Sequence, residues 1–218
     1  MTKNENFDQK RTNALLFINA AKDMLSKEDL NQISIRKLAY KTGLHNSTLY
    51  LYFDDLDELL MLASVRYFEE YSQRLAALSQ KALSITENFL LIWDYFLTSI
   101  LKNPKIFYNF FFGKRSNNLR KILNTYYDLF PEEKKLFSSI IETMYYGNNI
   151  KERCLFILKP LISEKGNAVT DKNYEMINQI LVSCIKDMLK RKSADTSLDT
   201  DLLKGEMMNI IKYVCQIK

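Results

Sequence analysis

The chain has few of the residues that most enzymes, metal sites and disulfide frameworks require. Its 218 residues include one histidine, His45, and three cysteines, Cys154, Cys184 and Cys215, which lie far apart in apolar helical surroundings. Such spacing fits neither a metal site nor a disulfide framework, so we expect the cysteines to be small buried apolar residues. A single imidazole and the lack of a glycine-rich phosphate loop exclude most acid–base and nucleophilic schemes. We therefore expect no enzyme, no metal and no cofactor.

Glycine and proline are also scarce. With five glycines and three prolines, the chain offers few strand and turn signals, and nearly every segment between them has apolar residues at helical spacing. The pattern predicts an all-α fold. Its first four helices are expected over residues 8–26, 34–42, 45–53 and 55–82.

Long hydrophobic runs are missing as well. The longest, residues 89–101, is interrupted by Asp94 and is shorter than the roughly 20 residues that span a bilayer. The first thirteen residues are polar and contain no apolar core of a secretory signal. We expect a cytoplasmic protein with no membrane contact.

What the chain does contain is two short helices joined by a glycine turn, between Ser34 and Phe53. Ser34 can cap a helix that starts at the next residue, and Ala39 is small where two helices approach. Gly43 can adopt the left-handed conformation that ends the first helix. In the second helix, Leu49 and Phe53 share an inward face and leave polar side chains outside. The segment predicts a helix-turn-helix, whose second helix can enter a major groove of DNA.

This segment, with the apolar residues of 17–25 and the run Asp57-Glu58-Leu59-Leu60, resembles the DNA-binding domain of the TetR/AcrR family of repressors. The run Thr48-Leu49-Tyr50-x-Tyr52-Phe53 is its most specific part, and the likeness covers roughly residues 10–60. The resemblance implies a three-helix DNA-binding domain over residues 1–55. It implies a larger helical effector-binding and dimerisation domain over residues 56–218. The protein is then expected to be a dimeric repressor that a small-molecule effector releases from a palindromic operator.

Residues expected to contact double-stranded DNA fall into two groups. The second helix lacks an Arg or Lys that could grip guanine, so reading of the bases is assigned to His45, Asn46, Ser47 and Thr48. Contacts to phosphates are assigned to Ser34, Arg36, Tyr50 and Tyr52. Because Asn favours adenine and the Thr methyl favours thymine, we expect an A·T-rich operator that is read partly by shape.

The charge balance weakens the expected grip on DNA. The net charge is +5, but four acids within residues 54–58 follow the helix-turn-helix, where the dipole of the next helix alone would favour them. Asn46 and Leu56 stand where the family commonly has lysines. We therefore expect fewer phosphate contacts and a shallower salt dependence than is usual for the family.

The second domain is rich in aromatic residues, which suit either a packed core or the wall of a ligand cavity. If a cavity is present, we expect an apolar or aromatic effector, because the candidate walls offer few charges. The candidate effector-binding residues are Trp93, Phe96, Phe107, Phe111, Tyr126 and Tyr127.

The last two helices contain apolar residues at alternating spacings of three and four. Such stripes pack helices together, and the family resemblance implies a four-helix bundle between two subunits. The residues expected at the interface of this homodimer are Ile177, Leu181, Cys184, Met188, Leu203, Met207, Ile210 and Val214. The alternative is that both stripes pack within one subunit, which would then be a monomer.

Two other functions compete with this interpretation. Weak binding to phosphates is also typical of a co-regulator whose second domain binds a protein partner. Exposed aromatic side chains at Phe110, Phe111 and Phe112 would form the surface that binds this partner. An enzyme is disfavoured by the single histidine and the missing motifs.

Overall fold

The computed structural model describes residues 3–217, which form helices and loops without a β-strand. The predicted all-α fold is confirmed for this range. None of the helices described there is long and apolar enough to cross a membrane.

The described chain divides into two compact units. The first extends to Arg66 and also includes Lys121–Lys134. It contains α1 (Lys3–Leu25), α2 (Ile35–Thr42), a short 3-10 helix (Asn46–Leu51), α3 (Leu56–Ser64) and α7 (Leu119–Leu129) from Lys121 onward. The unit therefore reaches past residue 55 and takes in a segment that is distant in sequence.

The second unit comprises Tyr67–Arg120 and the chain from Lys135 onward. Its helices are α4 (Glu69–Leu78), α5 (Ile85–Ile100), α6 (Pro104–Phe112), α8 (Ser139–Tyr145), α9 (Ile150–Leu158), α10 (Tyr174–Ala194) and α11 (Thr200–Cys215). Capping side chains fix the ends of several of these helices. At α5, the Ser84 hydroxyl accepts from Glu87 N at 3.2 Å, while the Glu87 carboxylate accepts from Ser84 N at 2.9 Å.

The single helix predicted over residues 55–82 is wrong. A 3-10 turn at Val65–Phe68 separates α3 from α4, and α4 ends at Leu78. The two helices also differ in burial, since α3 is buried at every position from Glu58 to Ser64, whereas α4 buries only one face.

An aromatic cluster centred on Phe68 forms much of the core of the second unit. The Phe68 ring lies 4.9 Å from the rings of both Phe107 and Phe110, and 5.8 Å from that of Phe111, between centroids. The prediction of an exposed aromatic patch at residues 110–112 is therefore wrong, since Phe110 and Phe111 are buried and Phe112 is half-buried. These rings are core.

Candidate nucleic-acid interface and ligand cavity

The turn between α2 and the 3-10 helix has the geometry that the sequence predicts. Ser34 precedes α2, and its hydroxyl accepts from Lys37 N at 3.3 Å. Gly43 follows α2 with φ +70°, in the left-handed region. Leu38 and Leu49 are fully buried, one from each helix, so the two helices share a core.

The second helix of this motif is shorter and tighter than predicted. In place of an α-helix from His45 to Phe53, the chain forms a 3-10 helix over Asn46–Leu51. Asn, Ser and Thr favour caps and turns, because their side chains compete for backbone groups. The His45 side chain also binds a backbone group here, since its Nδ1 accepts from Ser47 N at 3.3 Å and lies 2.8 Å from the Ser47 hydroxyl.

Four of the eight predicted DNA contacts are exposed side chains of the 3-10 helix and its cap. His45, Asn46, Ser47 and Tyr50 are exposed, and the Tyr50 side chain is 56% accessible. Thr48 is half-buried. The four exposed side chains offer hydrogen-bonding groups and an aromatic ring, which can reach base edges and phosphates.

The other predicted contacts have different surroundings. Arg36 is exposed on α2, whereas Ser34 is half-buried and serves as the cap. Tyr52 is half-buried, and its hydroxyl accepts from Asn13 Nδ2 of α1 at 3.0 Å, so it braces the motif. Tyr40 was not predicted, yet it is 91% exposed. Tyr40 lies four residues after Arg36 on α2, and this spacing places both side chains on the same polar face of the helix. That spacing is the signal in the sequence that could have identified Tyr40.

Both lysines on α2 form ion pairs with acidic side chains of the first unit. Lys37 pairs with Glu28 at 2.6 Å, and Lys41 pairs with Asp23. Asp23 also pairs with Lys27 at 2.7 Å. Hydrogen bonds from Lys27 and Lys41 lower the pKa of the Asp23 carboxyl to about 2. The positive charge available to phosphates is thus smaller than the composition alone implies.

The acids that follow the motif have structural partners. The Asp55 carboxylate accepts from Glu58 N at 2.9 Å and so caps α3. The Glu58 carboxylate accepts from Asp54 N at 2.7 Å and from Lys121 Nζ at 3.1 Å. The cap of α3 and the Glu58–Lys121 ion pair therefore explain Asp55 and Glu58 without a role in DNA binding.

The segment Lys121–Lys134 also packs against α1. The Lys22 ammonium lies 3.6 Å from the centroid of the Phe130 ring, 4.7 Å from that of Tyr126 and 3.7 Å from the Glu133 carboxylate. Burial lowers the pKa of Lys22, and Glu133 opposes this. The Tyr126 hydroxyl donates to Glu133 at 2.5 Å. Tyr126 and Tyr127, two of the predicted effector residues, therefore belong to the first unit.

The second unit contains a small cavity of about 20 Å³ between α4, α5, α8 and α9. Trp93 and Phe96, both predicted, are part of its wall, whereas Phe107 and Phe111 lie in the aromatic cluster. Sequence reasoning missed Arg153, because a basic residue that follows Lys151 and Glu152 in the same helix carries no signal of its burial. The full lining is Tyr71, Ile92, Trp93, Phe96, Met144, Ile150, Arg153, Cys154 and Ile157.

A second small cavity, of about 40 Å³, adjoins the first. Ile92 and Ile157 line both and form the shared wall. Ile140, at the edge of the second cavity, is exposed, so this space lies nearer to the surface.

The stripes on α10 and α11 divide between the core and the surface. The side chains buried within the subunit are Ile177, Leu181, Met188, Leu203 and Met207. Cys184, Ile210 and Val214 are half-buried. Four other apolar side chains of the same two helices are exposed: Met176, Ile180, Leu202 and Tyr213.

All three cysteine thiols are free. Cys154 and Cys215 are buried, as predicted, and burial raises the pKa of each thiol to about 12. Cys184 is half-buried and lies in a groove of about 330 Å³ between α10 and α11.

No family model matches the chain. An uncharacterized HTH-type transcriptional regulator of Haemophilus influenzae is 30% identical over 86 residues, which are 39% of this chain and 46% of that protein. The match thus spans about half the length of this curated relative.

Solved structures resemble the chain over nearly its whole length. FadR of Thermus thermophilus, a TetR family transcriptional repressor in complex with lauroyl-CoA, has a TM-score of 0.58 at 14% identity and covers 92% of each chain. RolR in complex with resorcinol also has a TM-score of 0.58 at 14% identity, with 99% of this chain and 92% of RolR covered. At such identities the likeness concerns the fold. The helix-turn-helix unit and the larger helical unit therefore give this chain the fold of the TetR-family transcriptional regulators.

Proposed function

We propose that the protein is a DNA-binding transcriptional regulator of the TetR type: a dimeric repressor that a small apolar or aromatic effector releases from a palindromic operator. The observation that carries this proposal is the set of exposed side chains His45, Asn46, Ser47 and Tyr50 on a helix-turn-helix. Gly43 forms its turn, and Tyr52 anchors its second helix to Asn13.

The residues of the 3-10 helix also suggest which base pairs of the operator the protein recognises. Residues 46–51 contain no Arg or Lys, so the strongest contact to guanine is missing. Asn46 suits adenine, and the Thr48 methyl suits thymine. An A·T-rich operator remains our prediction.

A homodimer is supported by the surface of α10 and α11. Met176, Ile180, Leu202 and Tyr213 expose apolar area on these two helices. The groove between the helices is lined in part by Cys184, Met188 and Ile210. A second copy of the same surface, related by a two-fold axis, would bury this area and form a four-helix bundle. The half-buried Cys184, Ile210 and Val214 then lie within the interface, while the five buried stripe residues support it from inside the subunit.

Two-fold symmetry would place two recognition helices in successive major grooves, about 34 Å apart. An effector that binds one arrangement of the dimer better than the other would shift the population between them. Roughly 5.5 kcal/mol of differential binding is needed for a nearly complete switch. The FadR and RolR structures hold lauroyl-CoA and resorcinol, which supports a ligand-responsive second unit in this chain as well.

The ion pairs of Lys37 and Lys41 favour a second candidate, a co-regulator with weak DNA binding whose second unit binds a protein. Selection of bound sequences from a random double-stranded DNA library, with sedimentation of the purified protein, separates the two. The repressor proposal predicts an A·T-rich palindrome bound by a dimer. Recovery of no consensus would overturn it in favour of the co-regulator.

A further inference from the structure

The 3-10 form of the second helix of the motif decides which of its side chains share a face. Its backbone hydrogen bonds join residues that are three apart, as from Thr48 N to the His45 carbonyl at 2.9 Å. With three residues per turn, side chains three apart lie one above the other. Leu51 is therefore aligned with Thr48, whereas in an α-helix of 3.6 residues per turn it would lie closest to Ser47.

This geometry divides the helix into three rows of side chains. One row faces the core, since its member Leu49 is fully buried. Ser47 and Tyr50 form the second row, and both are exposed. The third row contains Thr48, which is half-buried, and Leu51, which is 73% exposed. A row of hydrogen-bonding groups therefore lies beside a row that ends in an exposed hydrocarbon side chain.

The neighbours of Leu51 along the chain hold its backbone in place. The Tyr52 hydroxyl accepts from Asn13 of α1 at 3.0 Å. Phe53 is buried, and its ring lies 6.3 Å from that of Phe17, between centroids. Among the described leucine, isoleucine, valine and methionine side chains of the first unit, that of Leu51 is the most exposed. Such a fixed hydrocarbon group gains free energy when a partner removes it from water.

Double-stranded DNA offers a matching group in the major groove, the C5 methyl of thymine. A leucine side chain has no donor or acceptor, so it can recognise a base pair only through apolar contact of this kind. The row from Thr48 to Leu51 rises about 6 Å, at about 2.0 Å per residue, and base pairs are about 3.4 Å apart. The row therefore extends over about two base-pair steps.

We propose that Leu51 is a specificity-determining residue that binds thymine methyl groups in the major groove, with the Thr48 methyl beside it. The inference rests on the proposed function, because it names the chemistry by which the recognition surface selects A·T pairs. Apolar contact takes the place of the arginine contact to guanine, for which residues 46–51 have no side chain. The protein then prefers the methyl group itself, beyond the hydrogen-bonding groups of the A·T pair.

Uracil tests this proposal, because it pairs with adenine as thymine does and lacks only the methyl group. We would synthesise the consensus selected from a random double-stranded DNA library in two forms, one with thymine and one with uracil throughout. Fluorescence anisotropy then gives the Kd of the full-length protein for each form. Burial of one methyl group is worth about fourfold in affinity, so one contact in each half-site should favour the thymine form roughly 15-fold.

Substitutions in the protein locate the methyl contact. Leu51→Ala removes an exposed side chain and should reduce the preference for thymine at least about fivefold. Thr48→Ser removes one methyl group, keeps the hydroxyl and should reduce the preference as well. Leu136→Ala removes an exposed leucine from the second unit and should leave the preference unchanged. Since Leu51 and Leu136 are both exposed, neither alanine substitution should impair folding, which circular dichroism checks.

The outcomes keep this proposal separate from the proposed function. Equal binding to the two forms, a consensus without thymine in its half-sites, or a preference that Leu51→Ala leaves at its full value overturns the role of Leu51 and leaves the regulator standing. Recovery of no consensus overturns the proposed function and the thymine contact with it.

Discussion

Releasing the lysines of α2 from their acidic partners should strengthen DNA binding and make it more dependent on salt. The double variant Asp23→Asn, Glu28→Gln removes the partners of Lys41 and Lys37 while keeping the size of both side chains. All four residues lie on the exposed surface of the first unit or near it, so the fold should tolerate the change. Exposed ion pairs of this kind contribute about 0–1 kcal/mol each.

The expected magnitude follows from counting the freed charges. Two lysines per subunit give four per dimer. Each new phosphate contact adds about 0.9 to the slope of log K against log salt, so the upper limit is a change of about 3.6. Between 50 and 200 mM salt, this would cost roughly 100-fold more affinity than the unaltered protein loses. The unaltered protein itself should show a slope below about 5, the value for six contacts.

Fluorescence anisotropy of a labelled operator over that salt range measures both slopes. Glu70→Gln is the matched control, because it removes an exposed carboxylate that pairs with Arg74 at 2.7 Å in the second unit. It should leave the slope unchanged. A double variant with the slope of the unaltered protein would show that the ion pairs do not limit the contact with DNA, and the reasoning would fail.

The strength of the Asp23 pairing can be checked without DNA. Because its pKa is lowered to about 2 in the folded protein, pairing contributes stability above the unfolded value of about 3.9 and loses it as the pH falls toward 2. The difference in melting temperature between the unaltered protein and Asp23→Asn should therefore shrink from pH 5 to pH 2. A constant difference would show that the carboxyl is not paired.

Three further substitutions test other parts of the structure. Gly43→Ala should destabilise the protein by about 1–2 kcal/mol in urea unfolding, because φ is +70° while nothing lies within 4 Å of the added Cβ; an unchanged midpoint would contradict the left-handed turn. Lys22→Ala should cost about 0.5–2 kcal/mol through its lost contacts with aromatic rings, whereas Lys10→Ala on the exposed face of α1 should cost almost nothing. Leu202→Glu should convert the dimer to a monomer in sedimentation and make Cys184 reactive toward Ellman's reagent; a dimer that persists would place the interface elsewhere.

The helix-turn-helix could be predicted from sequence because its signals are local. Ser34 caps α2 and Gly43 ends it, as their positions next to an apolar stripe indicated. The type of the second helix could not be predicted in the same way. Its 3-10 form depends on side chains such as His45 folding back onto the backbone, which competes closely with an α-helix.

The cavity in the second unit was only partly predictable, because aromatic side chains look alike in sequence whether they line a space or fill one. Trp93 and Phe96 line the cavity, while Phe107 and Phe111 pack on Phe68. The distinction depends on contacts between helices far apart in the chain. Arg153 illustrates this most clearly, since nothing in residues 150–158 indicates that its charge is buried.

The central claim is tested most directly by anisotropy of a labelled fragment from the gene's own upstream region, compared with a scrambled fragment of equal length, at two salt concentrations. Tyr50→Ala removes an exposed side chain of the recognition surface, and Leu136→Ala removes an exposed one from the second unit as a control. We predict binding specific to the upstream fragment that Tyr50→Ala weakens at least tenfold and Leu136→Ala leaves intact. Equal binding to both fragments, erased by salt and unaffected by Tyr50→Ala, would contradict a sequence-reading helix-turn-helix.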